Sequence, residues 1–433
     1  MKKIFKSLSF LLLISSLIIS GCKKSSDDNT STTTPTEPEV PGTYYGSVTI
    51  SGSDADEILK KFADEKYDRI SGSLSITYAH ENLSSLSTVR EVTGTIRIQS
   101  IDLPSVNFIP KLDQVGGSVI LSDLSKITTL SGFSLLDSIS GGLSIKDCPE
   151  IETLEGLDDL LYLKGSLSLD NLAKLNSTTN LAKLKALYGS LIVNNCNAIE
   201  SLNGTVLIDS IPGNVELRNC AKLNNFNGLD NVKYLSGKVE VKNLSSLVSL
   251  SLLPKLDTLR KSVLISNCNM LETVGGFGSV EEIKEGLHFQ NCPTLTTIAG
   301  FAKLDSIGGT LSSQYCDHLG DFKGLSNLRL IKGNLELIGS SEMSALTGFG
   351  DPLRINGKLN IRENMKLNSL GDESSRTGLG AIRELHGGLD IYYNKALTTY
   401  CPLKNITTLE GAFQCYGNGT DLNSIEEIKN ACN

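Results

Sequence analysis

Apolar residues recur along this chain with a period of 24 residues. A Gly-x-Leu-x-Ile consensus marks each repeat, and ten consecutive periods from Val119 to Leu359 follow without insertion or deletion. A unit of this size cannot bury its apolar face alone and must stack on its neighbours, so the period predicts a solenoid. The central apolar residues of the consensus are Val119, Leu143, Leu167, Leu191, Val215, Val239, Val263, Leu287, Leu311, Leu335 and Leu359.

The pattern within one repeat predicts short strands. Val263 and Ile265 are expected to point inward. Leu264 and Ser266 then face outward, because successive side chains of a strand alternate. The Leu-x-x-Leu steps that follow are too short for a helix of three turns. We therefore predict a mostly all-β fold, a right-handed parallel β-helix or leucine-rich-repeat-like solenoid, with about fourteen coils of 24 residues between Gly72 and Gly387.

Two residue types form ladders at adjacent positions of the repeat. Asparagine tolerates left-handed backbone and bonds to nearby backbone groups, so a stack of asparagines indicates a recurring corner. The asparagines of this ladder are Asn171, Asn195, Asn219, Asn243, Asn267 and Asn291.

The next position of the repeat carries Cys148, Cys196, Cys220, Cys268, Cys292 and Cys316, and leucine replaces cysteine there in other coils. This exchange predicts buried free thiols. Stacked disulfides are the alternative, although their required torsion suits in-register side chains poorly.

Both ends of the array carry signals for caps. In the N-terminal cap, residues 44–71, Ser53-Asp54-Ala55-Asp56 precedes an apolar stripe and predicts a capping helix. The solenoid is assigned to residues 72–400, with a C-terminal cap at 401–433. A longer interval between Leu359 and Leu389 predicts a bulging loop near residues 371–380.

Three cysteines lie outside the buried ladder, at Cys401, Cys415 and Cys432. In an oxidising envelope, a disulfide between two of them could join parts of the terminal cap. The sequence allows either a Cys415–Cys432 or a Cys401–Cys432 disulfide. Because three cysteines are present, one thiol remains free.

The chain begins with features of a lipoprotein signal peptide over residues 1–21. A basic start precedes a short apolar stretch and small residues before Cys22, the predicted site of lipid attachment. Acyl chains on Cys22 would anchor the protein to a membrane. An ordinary secretory signal with an incidental cysteine is the alternative. Residues 22–43 are rich in Ser, Thr, Asp and Pro and predict a disordered tether.

The charge and composition narrow the range of partners. The formal net charge is −8, and there is no tryptophan and no basic run. These features argue against nucleic acid as a partner. The four histidines are scattered, and the chain has no metal-ligand pattern, phosphate loop or dinucleotide fingerprint. We therefore expect neither a metal nor a cofactor.

The outward face of the regular sheet is the candidate binding surface, because solenoids present extended faces to their partners. Glu216 and Glu240 lie beside each other on adjacent rungs, and so do Arg218 and Lys242. Each pair carries like charges, whereas a surface that serves only solubility would gain more from charges of alternating sign. An ordinary solvated face is the alternative. The full candidate set is Glu216, Arg218, Glu240, Lys242, His288, Gln290, Gln314, Glu336, Asn360 and Arg362.

A catalytic alternative rests on the two glutamates of adjacent rungs. Paired carboxylates can perform acid–base chemistry on a glycan. Glu216 and Glu240, roughly 5 Å apart by rung spacing, are the pair that such an enzyme would use. No aromatic platform for a sugar adjoins them in the repeat.

The repeat resembles the receptor L-domain family, a leucine-rich-repeat-like β-helix of growth-factor receptor ectodomains. The resemblance rests on the Gly-x-Leu-x-apolar segments at 165–169 and 333–337, with regularly spaced leucines between strands, and covers about residues 72–400. The segment 397–432 resembles the C-terminal cap of surface lipoproteins of the Bacteroidetes. These resemblances imply a binding or adhesion scaffold and transfer no catalytic residues.

Together these features predict a non-enzymatic outer-membrane lipoprotein facing the cell exterior. It would act in adhesion or ligand binding through its sheet face, and its ligand would be a protein or a glycan. The alternatives are capture of a glycan or nutrient for a partner transporter and, less favoured, a β-helix enzyme acting on a polysaccharide.

Overall fold

The computed structural model of the protein describes residues 42–78, 82–372 and 374–432. The predicted signal peptide, Cys22 and most of the predicted tether lie outside the described residues, as does His80.

A sheet of sixteen parallel strands, arranged in chain order, runs the length of the described chain. From the fourth to the fourteenth strand, each residue pairs with the residue 24 positions later, as Val119 does with Leu143. The predicted parallel β-solenoid is therefore confirmed. The strands are β1 Val48–Ile50, β2 Leu74–Thr77, β3 Ile96–Gln99, β4 Val119–Ser122, β5 Leu143–Lys146, β6 Leu167–Asp170, β7 Leu191–Asn194, β8 Val215–Arg218, β9 Val239–Lys242, β10 Val263–Ser266, β11 Leu287–Gln290, β12 Leu311–Gln314, β13 Leu335–Ile338, β14 Leu359–Arg362, β15 Leu389–Tyr392 and β16 Phe413–Tyr416.

Shorter strands form the other sides of the coil. The first group is Thr43–Tyr44, Arg69–Ile70, Glu91–Val92, Gln114–Val115, Ser138–Ile139, Tyr162–Leu163 and Ala186–Leu187, followed by the pair Ser210–Ile211 and Tyr234–Leu235. The same side continues as Thr258–Leu259, Glu282–Ile283, Ser306–Ile307, Leu330–Ile331, Leu353–Ile355, Ile382–Leu385 and Thr408–Leu409. A third side contains Ser249–Ser251, Thr273–Gly275 and Thr297–Ile298. Short 3-10 helices occupy Gly52–Asp54, Leu83–Thr88, Ser131–Phe133, Thr179–Leu181, Asn203–Thr205, Lys323–Leu325, Leu379–Ala381 and Cys401–Asn405.

One apolar core fills the interior along the whole rod. Val263 and Ile265 are fully buried, as the alternation predicts, and Leu264 on the opposite face is half-buried. Ser266, expected to face solvent, is instead buried. Its in-register neighbours are Lys242 and Gln290, whose longer side chains limit the access of water to this short residue.

The large sheet extends further at both ends than the fourteen coils counted from the repeat. Strand β1 lies in the segment assigned to the N-terminal cap, and β16 lies in the segment assigned to the C-terminal cap. The predicted N-terminal helix is present as α1, Ala55–Glu65, which buries Phe62 and ends at Lys66 in a left-handed conformation. The Phe62 ring packs against Tyr44 and Tyr67.

The C-terminal end contains a second helix, α2, Ile425–Ala431, which the sequence pattern did not predict. Its first turn is capped by Ser424, whose hydroxyl accepts a hydrogen bond from the Glu427 amide at 3.2 Å. Cys401 and Cys432 form a disulfide, so this pairing, of the two left open by the sequence, is the one present. Cys415 is a buried free thiol beside the Tyr400 hydroxyl.

The 30-residue interval between β14 and β15 accommodates an insertion. Gly371–Asp372 pairs antiparallel with Thr377–Gly378, forming a small hairpin that leaves the coil and returns to it. This hairpin lies where the longer interval predicts a bulging loop. The strands on either side keep their register, with Leu359 paired to Leu389.

Candidate binding face

The ten predicted binding residues all lie on one surface, which we call the outward sheet face. They occupy the second and fourth positions of their strands, which alternate with the buried first and third positions. In-register pairing places residues of adjacent strands side by side, as with Glu216 and Glu240. The second positions hold Glu216, Glu240, His288, Glu336 and Asn360, and the fourth hold Arg218, Lys242, Gln290, Gln314 and Arg362.

Opposite charges meet on strands β8 and β9 in a charged quartet, which is formed by Glu216, Arg218 and Glu240 of these strands and by Lys238, the residue directly before β9. Arg218 donates to both carboxylate oxygens of Glu240, at 2.7 and 2.9 Å. The same guanidinium lies 2.6 Å from Glu216. Lys238 reaches Glu240 at 2.8 Å and Glu216 at 3.4 Å. The charges of Glu216 and Glu240, which stand beside each other in register, are therefore compensated by Arg218 and Lys238.

The quartet holds Glu240 in its ionised form. Burial disfavours the charged carboxylate, but hydrogen bonds and charge from Arg218 and Lys238 outweigh burial and lower the pKa of Glu240 to about 2. A general acid of a glycosidase needs a raised pKa so that it carries a proton near neutral pH. Glu240 is thus a structural ion-pair partner and does not suit the acid's role in the carboxylate pair.

The centre of the face has fewer charges. Glu336 accepts hydrogen bonds from two neutral amides, those of Asn334 at 3.1 Å and Gln314 at 3.3 Å. His288 is half-buried, and burial lowers its pKa despite the opposing charge of Glu336. His288 is therefore neutral at pH 7. Gln290 is exposed.

Three tyrosines gather at the C-terminal end of the face, and we call Tyr392, Tyr393 and Tyr416 the tyrosine cluster. The rings of Tyr392 and Tyr416 are stacked, with centroids 5.1 Å apart and planes within 3°. Tyr393 stands nearly perpendicular to both, with centroids 5.6 Å away. On the other side of Tyr392, the Arg362 guanidinium lies 5.9 Å from the ring centroid.

Backbone conformation brings Tyr393 into the cluster. Tyr393 has φ of +59°, the left-handed conformation that recurs at this corner of the coil. Its ring lies over Gly417 in the next coil, where a Cβ atom would approach the ring to 2.6 Å. Sequence reasoning missed the cluster, although the 24-residue separation of Tyr392 and Tyr416 within the repeat was a usable signal.

Buried polar atoms without partners adjoin the tyrosine cluster. Near these rings, Asn360 Oδ1, Asp390 Oδ1 and Arg362 Nε find no hydrogen-bond partner within the part of the chain that the structure describes. Asp390 is only 8% exposed, and its other oxygen, Oδ2, accepts from Lys358 at 3.0 Å. Asn360 pairs in register with Asp390, so the two unpartnered oxygens belong to neighbouring strands.

The asparagine ladder stabilises a corner of the coil. All six asparagines have φ between +51° and +56°. Side-chain amides also link successive coils: Asn267 Nδ2 donates to Asn243 Oδ1 at 2.8 Å, and Asn291 repeats this contact with Asn267 at 2.9 Å. Asp123, Tyr315 and other residues adopt the same conformation in coils that lack asparagine. The ladder is structural and does not form a ligand site.

The structure places all six ladder cysteines in the core as free thiols. Cys220 Sγ, for example, donates to the Arg218 carbonyl oxygen at 3.1 Å. Burial raises the pKa of Cys148 to about 12, which keeps this thiol protonated. A protonated, buried thiol is a poor nucleophile and metal ligand.

No group of three or more His, Cys, Asp or Glu side chains within residues 42–78, 82–372 and 374–432 is arranged to hold a metal ion. In the same part of the chain, neither helix is long and apolar enough to cross a bilayer.

Comparison with known proteins identifies one related family. Residues 68–131, which include strands β2 to β4, match the model of the Receptor L domain family. No curated protein matches the chain. The Receptor L domain match suggests a ligand-binding role rather than a catalytic one. Residues 68–131 are therefore similar to a receptor L domain, and the parallel solenoid is consistent with such a fold.

Proposed function

We propose that this protein is a cell-surface lipoprotein that binds a ligand through its outward sheet face and catalyses no reaction. The observation that carries the proposal is the sheet of sixteen parallel strands, which presents two continuous columns of outward side chains. Solenoids commonly use such extended faces for binding. The family match over residues 68–131 supports the same class of function.

The outward sheet face is rigid enough for selective binding. Each inner strand is paired on both sides, and neighbouring side chains in a column are about 4.8 Å apart. Contacts such as those between Arg218 and Glu240 also hold long side chains in one conformation. A preorganised surface loses less conformational entropy on binding, so more of the contact energy contributes to affinity.

Adhesion to a protein and capture of a glycan or nutrient for a partner transporter are the two candidate forms of this function. The tyrosine cluster favours capture of a glycan, because exposed aromatic rings offer broad apolar surfaces with a polar tip. The charged quartet offers no comparable support for catalysis, since Glu240 is held as an anion by Arg218 and Lys238.

Blocking the middle of the face tests the proposed function. Gln290→Arg adds bulk and charge at an exposed position of β11, whereas Asn269→Arg makes a comparable change at an exposed turn outside the sheet. We expect the mature chain with Gln290→Arg to lose binding to immobilised matrix proteins or neutral polysaccharides, and Asn269→Arg to retain it. Equal binding by both variants and the unmodified chain would contradict the role of the face.

The membrane attachment needs a separate experiment. Cys22 is the proposed acylation site, and Cys22→Ser should abolish incorporation of labelled palmitate and release the protein from the membrane fraction. Protease treatment of intact cells should remove the anchored protein if it faces the exterior. Retention of label in Cys22→Ser, or full protection from protease, would refute the corresponding part of the proposal.

A further inference from the structure

We propose that a second surface of the solenoid binds a linear glycan that carries carboxylate or sulfate groups. This surface lies outside the large sheet, on the side of the coil formed by the two-residue strands. It consists of the outward residues of five successive coils, from Tyr162 to Arg260, and we call it the second-side patch. The inference goes beyond the proposed function, because the outward sheet face takes no part in it.

Register and alternation bring the residues of the second-side patch onto one surface. The first position of each short strand points outward and the second is buried, as Leu163 is, so the residue after the strand points outward again. One column therefore holds Tyr162, Ala186, Ser210, Tyr234 and Thr258. The column beside it holds Lys164, Tyr188, Pro212, Ser236 and Arg260. Each column spans four rung spacings, about 19 Å, which suits a chain of several sugar rings.

Three exposed tyrosines supply stacking surfaces in the second-side patch. Tyr162, Tyr188 and Tyr234 are 40%, 59% and 42% exposed. Their neighbours in register are short, with Ala186 beside Tyr162 and Ser210 beside Tyr234. Side chains of this size leave the rings uncovered in that direction. A pyranose ring presents a flat face of C–H groups, which packs favourably on the electron-rich face of an aromatic ring.

Two cations of the patch have no anion to balance them. Lys164 and Arg260 are exposed, and neither forms an ion pair with any residue that the structure describes. The Arg260 guanidinium lies 5.5 Å from the centroid of the Tyr234 ring, a contact that orients its donors beside a stacking surface. Neither column contains an acidic residue between Tyr162 and Arg260. One coil further on, the next cation of the column, Lys284, is paired with Glu282.

The corner beside the patch does not supply the missing anions. It carries charges of alternating sign in successive coils, so they balance one another: Lys185, Asp209, Lys233 and Asp257. The charges of Lys164 and Arg260 therefore remain. A carboxylate or sulfate group on a glycan can balance them, and a guanidinium binds such an oxyanion through two parallel hydrogen bonds.

The charge of the whole chain disfavours nucleic acid as the ligand of this patch. Single-stranded nucleic acid also stacks on aromatic side chains, but its phosphates are closely spaced and require a strongly basic groove. The chain has a formal net charge of −8, and the patch offers two uncompensated cations. A sparsely charged glycan meets these cations with less repulsion from the rest of the protein.

Biolayer interferometry of the complete mature chain tests the inference. The immobilised probes are hyaluronan and chondroitin sulfate as anionic glycans, dextran as a neutral glycan, and oligothymidine and polyglutamate as other polyanions. We expect binding to hyaluronan, to chondroitin sulfate or to both, and this binding should weaken as salt screens the cations. Binding to hyaluronan would assign carboxylate as the recognised group, and binding to chondroitin sulfate alone would assign sulfate.

Two substitutions test the two parts of the patch. Tyr188→Ala removes an exposed ring and should weaken binding of the anionic glycan about five-fold. Arg260→Gln removes a cation and should weaken it roughly ten-fold. The matched controls should bind like the unmodified chain: Lys332→Gln lies at the repeat position of Arg260 three coils later, and Tyr315→Ala alters an exposed tyrosine beside the large sheet.

A fluorescence readout keeps the test independent of losses in folding. The chain contains no tryptophan, so Tyr188→Trp introduces a single reporter that preserves an aromatic ring in the patch. Adding the anionic glycan should shift its emission, whereas Tyr315→Trp should not respond. Circular dichroism of each variant should match that of the unmodified chain.

The outcomes separate this inference from the proposed function. Glycan binding that survives both Tyr188→Ala and Arg260→Gln unchanged would overturn the patch, as would equal binding to dextran or binding to oligothymidine or polyglutamate alone. Gln290→Arg alters the outward sheet face and should leave this binding intact, so its loss in that variant would also overturn the patch. Failure of both anionic glycans to bind would refute this inference alone, because the effect of Gln290→Arg on other ligands tests the proposed function.

Discussion

Replacing Glu240 with glutamine should destabilise the protein in a way that depends on pH. The substitution keeps the shape of the side chain but removes its charge from Arg218 and Lys238. The native structure lowers the pKa of Glu240 from 4.5 to about 2. Each pH unit of such a change corresponds to about 1.4 kcal/mol, so the upper bound is about 3 kcal/mol. Solvent reaches this surface and screens the pairs, and we therefore expect a loss of about 1–2 kcal/mol at pH 7.

The sign of the pH dependence follows from linkage. A carboxylate whose pKa is lower in the folded state stabilises that state fully above its unfolded pKa, near 4.5, and ceases to do so as pH falls toward about 2. The difference in stability between the unmodified chain and Glu240→Gln should therefore be constant from pH 7 to about 5.5. It should then shrink steadily as the pH falls toward 2.

Urea unfolding between pH 7 and pH 3, followed by circular dichroism, measures this difference without the screening that guanidinium ions would add. Glu336→Gln is the matched control, because Glu336 is bonded by the neutral amides of Asn334 and Gln314. Solenoids can unfold in parts, so hydrogen exchange of the β8 and β9 amides should show the same trend locally. A difference that stays constant down to pH 3, or an equal effect of both substitutions, would refute the reasoning.

Three further predictions concern the scaffold. Asn243→Ala should lower stability by about 1–2 kcal/mol in urea titration, because alanine is strained at φ of +56°; Asn243→Gly, which relieves the strain, should lose less. Phe289→Ala should cost about 3–5 kcal/mol by the same titration, since the ring is fully buried; a loss below 1 kcal/mol would contradict its core position. Cys401→Ser should lower the melting temperature through loss of a disulfide that closes 31 residues, worth about 2–4 kcal/mol, and reductant should then have no further effect.

Several local features follow from repetition and could be predicted. The 24-residue period correctly indicates which residues are paired in register from Val119 to Leu359, because a constant repeat length returns each residue to the same place in the coil. The exchange of cysteine with leucine indicates a core position, and Cys196 and Cys220 are fully buried there. Asn267 similarly marks a corner that needs left-handed backbone.

The details of the candidate site depend on side chains from different coils and were not predicted. Alternation indicates that Glu216 and Glu240 face outward, but not that Arg218 and Lys238 bridge them diagonally. That outcome depends on the lengths and conformations of four side chains from two adjacent coils. The burial of Ser266 likewise depends on its neighbours rather than on its own polarity.

The sequence by itself determined the parallel solenoid, the inward and outward sides of the strands and the N-terminal capping helix, because these follow from the period and from local preferences. Only the tertiary structure decided that Cys401 pairs with Cys432 and that the Tyr393 ring stands nearly perpendicular to Tyr392 and Tyr416. These contacts occur where the regular repeat ends or is interrupted. There the period no longer specifies which side chains meet, and packing across neighbouring coils decides it.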